Sequence, residues 1–245
     1  MATELSTPKG HGLVRVAHNL RVHAMHPHQW AEAAATDYWA NFGNIVGLPA
    51  NAIGDLDLYG WSTTGFSHVA GSAASFLSPS DVGVTGGINL DAVSDNIISP
   101  SIFGDYANAL LAGQILGHFP TSLNMECYAR FAANNNEQET GFGFVEAQVS
   151  GPFVKSDLMA LITSDGTNFS LEGAGAADAG ATDDINAHQF KITFRGTTAE
   201  WFIDGTSQGS IALQDDLWPV AWGASTKATS GANDPVISWV HIWYE

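Results

Sequence analysis

The sequence predicts an all-β fold, a two-sheet antiparallel sandwich, preceded by a short N-terminal arm. Beyond residue 55, short apolar and aromatic runs alternate with clusters of Gly, Asn, Asp and Ser, which is typical of strands joined by turns. Asp165-Gly166 and Asp204-Gly205 each follow such a run, and these dipeptides favour tight hairpins because glycine accepts a positive φ. The one helical period there, residues 106–116, suffices for a turn or two. Hairpins between neighbouring runs imply antiparallel pairing.

Residues 1–50 are predicted to form the arm, and residues 51–245 the sandwich, with a boundary in the loop around Pro49. Residues 13–25 alternate with period two, which predicts a strand. A short amphipathic helix is then predicted from four residues at about helical spacing, Trp30, Ala34, Tyr38 and Phe42. Because an apolar face of this size is costly in water, the arm is predicted to dock on another subunit or a protein shell. The predicted docking residues are Val14, Val16, Leu20, Val22, Trp30 and Tyr38.

Within the sandwich, nine runs are the clearest strand candidates. They are residues 123–132, 141–149, 158–163, 169–172, 188–195, 199–203, 209–213, 220–222 and 236–244. Phe190, Ile192, Phe194 and Phe202 are predicted to share one core with the 236–244 strand. The Gly- and Ala-rich stretch 173–186 has little side-chain bulk, so it is predicted to be a mobile surface loop.

The charge composition narrows the choice of partners. The 245 residues contain 25 Asp and Glu against 8 Lys and Arg, a formal net charge of −17. Because nucleic acid binding requires clustered basic residues, a nucleic acid partner is not expected. The single Cys127 excludes an internal disulfide. Neither a signal peptide nor a membrane span is expected, so the chain is predicted to be made in the cytoplasm, with virion association as a further possibility.

Four segments of the sandwich resemble concanavalin A-like lectin/glucanase domains, which include the laminin-G-like jelly rolls. HQFKITFRGTTAEWFIDGTSQGSIAL at 188–213 is similar to their central hairpin pair, and ISWVHIWYE at 237–245 to their terminal strand. MECYARF and TGFGFVEAQ, between residues 125 and 148, resemble the preceding strand pair. The resemblance covers about residues 55–245. It implies a jelly-roll-like sandwich, a fold that hosts many functions.

Glycosidases on this kind of sandwich carry carboxylates about two residues apart on one strand, as acid and nucleophile. Glu137 and Glu139 are the nearest match, but their segment AANNNEQETG is predicted to be a hairpin tip, and the third acidic residue of the glucanase pattern is missing. Glu126 and Glu146 would face each other across the same hairpin. No catalytic residue is therefore predicted, and the expectation is a protein without enzymatic activity.

Binding residues are predicted in the loops. Of the eight Trp, Trp61 and Trp218 lie nearest loops and are the candidate glycan-stacking platforms, whereas most of the others are expected in the core. No cofactor is expected, with calcium as the alternative, because loop carboxylates and amides suit a hard cation but more often form turns. The main candidate ligands are Asp165, Asn168, Asp183 and Asp184, with Asp215 and Asp216 further along the chain. His23, His26 and His28 have spacings compatible with zinc or nickel, but are expected to be solvated or to face a partner.

Three functions fit these observations. The favoured interpretation is a non-enzymatic structural or assembly protein and homo-oligomer, most of all a virion accessory protein of the capsid-decoration, fibre or tail kind. A glycan-binding lectin module that contacts surface sugars is the first alternative. A glycoside hydrolase or polysaccharide lyase is the second.

Overall fold

Fifteen strands and one helical turn make up the part of the chain that the computed structural model describes. The described residues are 37–41, 62–64, 75–77, 87–89, 96–98, 113–131, 136–145, 158–165, 167–173, 176–213, 221–225 and 235–245. The first five strands are β1 (Asp37–Asn41), β2 (Ser62–Thr64), β3 (Ser75–Leu77), β4 (Gly87–Asn89) and β5 (Asn96–Ile98). The next five are β6 (Leu123–Phe131), β7 (Asn136–Val145), β8 (Leu158–Asp165), β9 (Asn168–Gly173) and β10 (Ala176–Thr182). The last five are β11 (His188–Arg195), β12 (Thr198–Ile203), β13 (Thr206–Ala212), β14 (Ala221–Ser225) and β15 (Pro235–Tyr244).

The strands form two sheets, which confirms the predicted all-β antiparallel sandwich. Sheet A has eight strands in the order β13-β12-β11-β6-β15-β4-β3, and β1 also pairs with β15. Sheet B has seven strands in the order β10-β9-β8-β7-β14-β5-β2. The pairings between described strands are antiparallel, including both predicted Asp-Gly hairpins, β8–β9 and β12–β13. In the second of these turns Asp204 and Gly205 have φ values of 49° and 79°, the positive values that favour glycine and aspartate there.

The core lies between the sheets because alternate residues of each strand point inward. On β11 Phe190, Ile192 and Phe194 are fully buried, as the sequence predicted. An aromatic cluster joins the two sheets: Phe142 of β7 lies edge-on to Phe190, with ring centroids 5.2 Å apart, and stacks on Phe131 of β6 at 5.5 Å. Such ring pairs stabilise beyond the area they bury. Each central strand thus presents one face to the core and the other outward.

The sheets meet at the edge formed by β10 and β13, where a tryptophan joins them. Trp201 of β12 is fully buried, and its indole Nε1 donates a hydrogen bond of 2.9 Å to Asp178 Oδ2 of β10. A Cβ on Gly180 would lie only 2.6 Å from the Trp201 ring, so the absence of a side chain there lets the indole approach β10. A Cβ on Gly209 of β13 would collide with the Asp178 carboxylate. Small residues on β10 and β13 therefore bring the two sheets together.

This edge corrects the prediction of a mobile loop over residues 173–186. Residues 176–182 of that stretch form β10, which pairs with β9 along the edge of sheet B. The prediction was wrong because low side-chain bulk was equated with an inability to pack. Here the lack of bulk at Gly180 is what the neighbouring indole requires.

Part of the predicted arm belongs to sheet A. Residues 37–41, assigned to a helix on the spacing of Trp30, Ala34, Tyr38 and Phe42, are the strand β1 and pair with β15 from Trp239 to Trp243. The four-residue spacing was misleading because residues 37–41 gain ladder hydrogen bonds at the open edge of β15, and tertiary pairing overrides local periodicity. The rest of the arm, with its predicted strand at 13–25, lies outside the described residues. The domain boundary at residue 50 stays a prediction.

The single cysteine of the chain is part of the core. Cys127 lies in the middle of β6 and is fully buried; burial and the nearby Glu126 raise the pKa of its thiol. In the described part of the chain, no helix has the length and apolar character needed to cross a membrane.

Candidate functional site

The side of sheet A that faces away from the core carries aromatic, charged and hydroxyl side chains together. It consists of the residues that alternate with the core on four adjacent strands. We define the outer face of sheet A as Glu126, Tyr128 and Arg130 of β6, Lys191, Thr193 and Arg195 of β11, Glu200 and Phe202 of β12, and His241 and Trp243 of β15. Parity places them there, since their neighbours Cys127, Ile192, Trp201 and Ile242 are fully buried.

A lysine bridges two aromatic rings near the centre of this face. The ammonium Nζ of Lys191 lies 5.8 Å from the ring centroid of Phe202 and 5.3 Å from that of Trp243. Phe202 is the cross-strand neighbour of Lys191, whereas Trp243 lies beyond β6 on β15. The indole of Trp243 is in turn stacked on His241, with centroids 4.2 Å apart and planes 16° from parallel, and it donates a hydrogen bond to Glu245. These contacts hold the half-buried Trp243 and Phe202 in fixed positions on the surface.

Beside the rings, at the β13 edge of the sheet, lies a shallow open depression of about 480 Å³. Its walls are rich in hydrogen-bonding groups: Thr193, Arg195, Thr198, Glu200, Ser207, Gly209 and Ser210. The Glu200 carboxylate accepts hydrogen bonds from Arg195 Nη1 at 3.3 Å and from Ser207 Oγ at 3.4 Å. Its exposure of 36% leaves room for further contacts from solvent or a ligand.

Thr193, which lines the depression, is hydrogen-bonded to the neighbouring strand β6. Its Oγ1 donates to Asn124 Oδ1 at 2.9 Å, and Asn124 Nδ2 donates to Ser122 Oγ at 3.0 Å. Asn124 and Thr193 are buried, so this row is rigid and its groups are already paired. The exposed groups of the depression offer hydroxyl donors and acceptors and one carboxylate beside a flat apolar surface. This combination suits a polar, ring-shaped ligand.

Most of the residues predicted to bind glycan or a partner belong to segments outside the described part of the chain. Trp61 and Trp218, the predicted stacking platforms, lie outside the described residues. Val14, Val16, Leu20, Val22 and Trp30 of the predicted docking face do so as well, as do Asp215 and Asp216. Tyr38 alone is placed, on β1 opposite Ile242 of β15.

The predicted calcium ligands divide into two environments. Asp165 and Asn168 flank the β8–β9 turn, and Asp183 lies beside it, with its backbone N–H donating to Thr167 O at 3.1 Å. The Asp183 side chain is only 5% exposed and accepts a hydrogen bond from Ser164 Oγ. Asp184 instead pairs with a histidine. No group of three His, Cys, Asp or Glu suited to a metal occurs among the described residues, and calcium binding stays a prediction.

Asp184, His188 and Asp204 form what we call the His188 cluster, which sequence analysis missed. His188 Nδ1 lies 2.6 Å from Asp204 Oδ2, and His188 Nε2 lies 3.0 Å from Asp184 Oδ1. Because a carboxylate can only accept, both ring nitrogens can donate at once only when the imidazole is protonated. The cluster joins the loop before β11 to the turn after β12.

The pKa values in the His188 cluster follow from these contacts. Burial alone would lower the pKa of His188, but hydrogen bonds to Asp204 and Asp184, with the charges of both carboxylates, raise it above its usual 6.5. Burial alone would raise the pKa of Asp184, but hydrogen bonds from His188 and Asn186 lower it below its usual 3.8. Asp184 and His188 are thus both charged at a pH between the pKa of Asp184 and that of His188.

We expect His188→Gln to destabilise the protein in a pH-dependent manner. Because the pKa of His188 is raised on folding, its contribution to the free energy of unfolding is complete below pH 6.5, its pKa in the unfolded chain, and is lost as pH rises through its pKa in the folded protein. Because the pKa of Asp184 is lowered, its contribution is present above pH 3.8 and is lost as pH falls through its pKa in the folded protein. Because both carboxylates are about half exposed, solvent screening limits the loss to about 1 kcal/mol near pH 5.5. Urea unfolding across pH measures it. His118→Gln, at an exposed histidine, is the control, and a loss independent of pH would contradict the prediction.

The candidate catalytic glutamates have a different setting from the one predicted. Glu137 and Glu139 were assigned to a hairpin tip, but both lie within β7, which begins at Asn136. The register between β7 and β8 shifts between Asn136 and Gly141, so β7 is irregular over the segment that contains both glutamates. Their side chains and Glu146 lie outside the described residues, and Glu126 is on the outer face of sheet A.

Sequence analysis also misplaced the aromatic residues of the outer face. Phe202 was predicted to be in the core, but it alternates with the buried Trp201 and Ile203 and is half-buried on the opposite side. Trp243 was expected in the core with most of the other Trp residues, but it too is half-buried and lies on the outer face of sheet A. A usable signal was present: Val240, Ile242 and Tyr244 are the apolar parity of β15, which leaves Trp243 to point outward.

No known protein family and no curated protein matches the sequence. Among solved structures, the chain is similar to a protein of unknown function from Shewanella oneidensis MR-1, with 11% identity, a TM-score of 0.50, and coverage of 90% of this chain and 94% of that one. It is also similar to the Emp47p carbohydrate recognition domain, with 12% identity, a TM-score of 0.48 and coverage of 86% and 96%. A Trypanosoma rangeli sialidase in complex with 2,3-difluorosialic acid matches with 8% identity, a TM-score of 0.44 and coverage of 64% and 25%. The chain therefore spans about a quarter of that sialidase.

These structures correct the expectation that the protein is not an enzyme. The sialidase, an alginate lyase of polysaccharide lyase family 7 and a transglycosylase are among the similar structures, at identities of 8%, 12% and 14%. The fold therefore gives no ground for excluding catalysis. At such identities the likeness concerns the fold alone. The two-sheet antiparallel sandwich that the sequence resemblance implied is confirmed.

Proposed function

We propose that this protein binds glycans on the outer face of sheet A. The observation that carries the proposal is the placement of two half-buried aromatic rings, Phe202 and Trp243, beside an open depression lined by hydroxyl and charged groups. Sugar rings have apolar C–H faces, which stack on aromatic side chains, and a rim of hydroxyls, which pair with groups such as those of Ser207 and Glu200.

The arrangement suits an extended glycan better than a small buried ligand. The depression is shallow and open, and it lies at the β13 edge of sheet A, so it would contact one side of a chain of sugars. The groups around it are held before any ligand arrives, Trp243 by His241 and Glu245, and Glu200 by Arg195. Prior ordering lowers the entropic cost of binding.

We expect Trp243→Ala and Phe202→Ala each to weaken glycan binding about tenfold, a free-energy change of about 1.4 kcal/mol, because each removes one stacking surface. Affinity electrophoresis of the full chain in gels containing soluble polysaccharides, neutral and acidic, measures this. Ile185→Ser removes an exposed apolar side chain outside this face and is the matched control. Migration unaffected by every polysaccharide, or variants that bind like the wild type, would contradict the proposal.

Glycan cleavage is a second candidate function, favoured by one observation. Glu137 and Glu139 are two residues apart on β7, the spacing of paired catalytic carboxylates, in the part of β7 where its register with β8 shifts. The same polysaccharides incubated with the wild type and assayed for reducing ends distinguish cleavage from binding alone.

The assembly role remains a separate prediction. A virion accessory protein that docks on a shell through residues 1–50, or a homo-oligomer, was predicted from the apolar face of that segment together with the predicted sandwich. The observation that bears on it is the pairing of β1 with β15, which ties residues 37–41 to the chain's own sheet.

A further inference from the structure

We propose that the glycan bound by the outer face of sheet A is anionic, and that the Lys191 ammonium receives its negatively charged substituent. This inference rests on the proposed function, because it specifies the class of sugar that the same face takes. It follows from the distribution of basic residues in an acidic chain and from the contacts of Lys191.

Basic residues are scarce in this chain, and the Lys and Arg side chains that the structure describes lie on this face. Of its 8 Lys and Arg, three lie on the outer face of sheet A: Arg130, Lys191 and Arg195. Three carboxylates lie on or beside the same face, those of Glu126, Glu200 and Glu245, whereas acidic residues outnumber basic ones 25 to 8 in the whole chain. Basic and acidic groups are therefore equal in number on this face, which is less negative than the chain's overall composition and can attract an anion.

The two basic residues of β11, Lys191 and Arg195, have different partners. Arg195 pairs with the Glu200 carboxylate at 3.3 Å. Lys191 forms no ion pair with a carboxylate of the described residues, although Glu126 is its cross-strand neighbour on β6. Its contacts are with the rings of Phe202 and Trp243. These rings hold the ammonium in place without cancelling its charge, because a ring quadrupole carries no net charge.

His241 covers one face of Trp243. A sugar that packs against the accessible part of Trp243 or against Phe202 would place its substituents near this ammonium, since each ring centroid is within 6 Å of Nζ. An anionic substituent there gains a charge-assisted hydrogen bond beside apolar rings that exclude water, where such bonds are stronger than in bulk solvent. A neutral hydroxyl at the same point gains much less. The shared chemistry is a negative group on a sugar ring, which a uronic acid supplies as a carboxylate and a sulfated sugar as a sulfate ester.

The test compares polymers that differ only in charge. Binding of the full chain is measured by affinity electrophoresis and isothermal titration calorimetry with polygalacturonate and its methyl ester, and with dextran sulfate and dextran. We expect the wild type to bind at least one charged polymer about tenfold more tightly than its neutral counterpart. Whether polygalacturonate or dextran sulfate shows the preference identifies the carboxylate or the sulfate as the source.

Substitutions at Lys191 assign the preference to its ammonium. Lys191→Gln should weaken binding of the charged polymer about tenfold and leave the neutral polymer unchanged, whereas Lys191→Arg, which keeps the charge, should retain most of the preference. Equal wild-type binding of charged and neutral polymers, with Trp243→Ala still harmful, would overturn this inference and leave the proposed function standing. An equal loss on both polymers in Lys191→Gln would also overturn it, because Lys191 would then only support the rings. No wild-type binding to any polymer would overturn both.

Discussion

Replacing Trp201 with alanine should destabilise the protein by about 3–5 kcal/mol, the range for removing a large aromatic side chain from a packed core. Trp201 is fully buried, and it joins the edge strands of the two sheets as well as filling the space between them. Its loss leaves a cavity next to Gly180, which has no side chain to fill it. It also leaves Asp178 Oδ2 without the indole donor.

Urea unfolding followed by circular dichroism measures this change. Trp201→Phe keeps most of the apolar volume but loses the N–H, so it should cost less than the alanine variant and separate packing from the hydrogen bond. Phe202→Ala, one residue along β12 on the opposite face, is the matched control and should cost about 1 kcal/mol, because Phe202 is only half-buried. Equal losses at Trp201 and Phe202 would show that the core does not lie on the side described.

A chain lacking residues 1–41 should be markedly less stable than one lacking residues 1–36. The shorter deletion keeps β1, whereas the longer one removes it and exposes β15 from Trp239 to Trp243. Each ladder hydrogen bond lost costs about 0.5–1.5 kcal/mol, so several together should lower stability by a few kcal/mol. The exposed strand edge should also promote aggregation.

Thermal unfolding and size-exclusion chromatography of both truncated proteins provide the comparison. The full chain is the reference, and the deletion of residues 1–36 controls for the loss of chain length. If both truncated proteins unfold at the same temperature and remain monodisperse, β1 contributes nothing to the sheet, and the predicted division at residue 50 gains support. A loss confined to the longer deletion places the start of the sandwich at or before Asp37.

The sequence shows that residues alternate between the two faces of a strand, but the face on which each residue lies was predicted correctly for only some of the strands. Phe190, Ile192 and Phe194 were predicted correctly because three large apolar residues on one parity of β11 leave no other choice. Phe202 was assigned to the core for its hydrophobicity alone, although Trp201 and Ile203 already occupied that parity. β10 and β1 were missed because their stability depends on partners, the Trp201 indole and the edge of β15.

The candidate site could not be assembled from the sequence, because sheet order determines it. Lys191 and Trp243 are more than fifty residues apart, and they meet because β6 lies between β11 and β15. No local pattern in either segment specifies that order. The His188 cluster was missed for the same reason, since Asp204 reaches His188 only through the β11–β12 pairing.

The central position of β15 also determines how this fold can form. Sheet A is continuous only when Pro235–Tyr244 lies between β6 on one side and β1 and β4 on the other. β1, β4 and β6 therefore cannot complete their pairing in sheet A until β15 is in place. Bringing β15 to these strands closes long loops of chain, which costs entropy before the contacts are gained. Folding with this contact order is slow compared with that of helical proteins, and during synthesis the unpaired edges of β6, β4 and β1 remain open until β15 emerges.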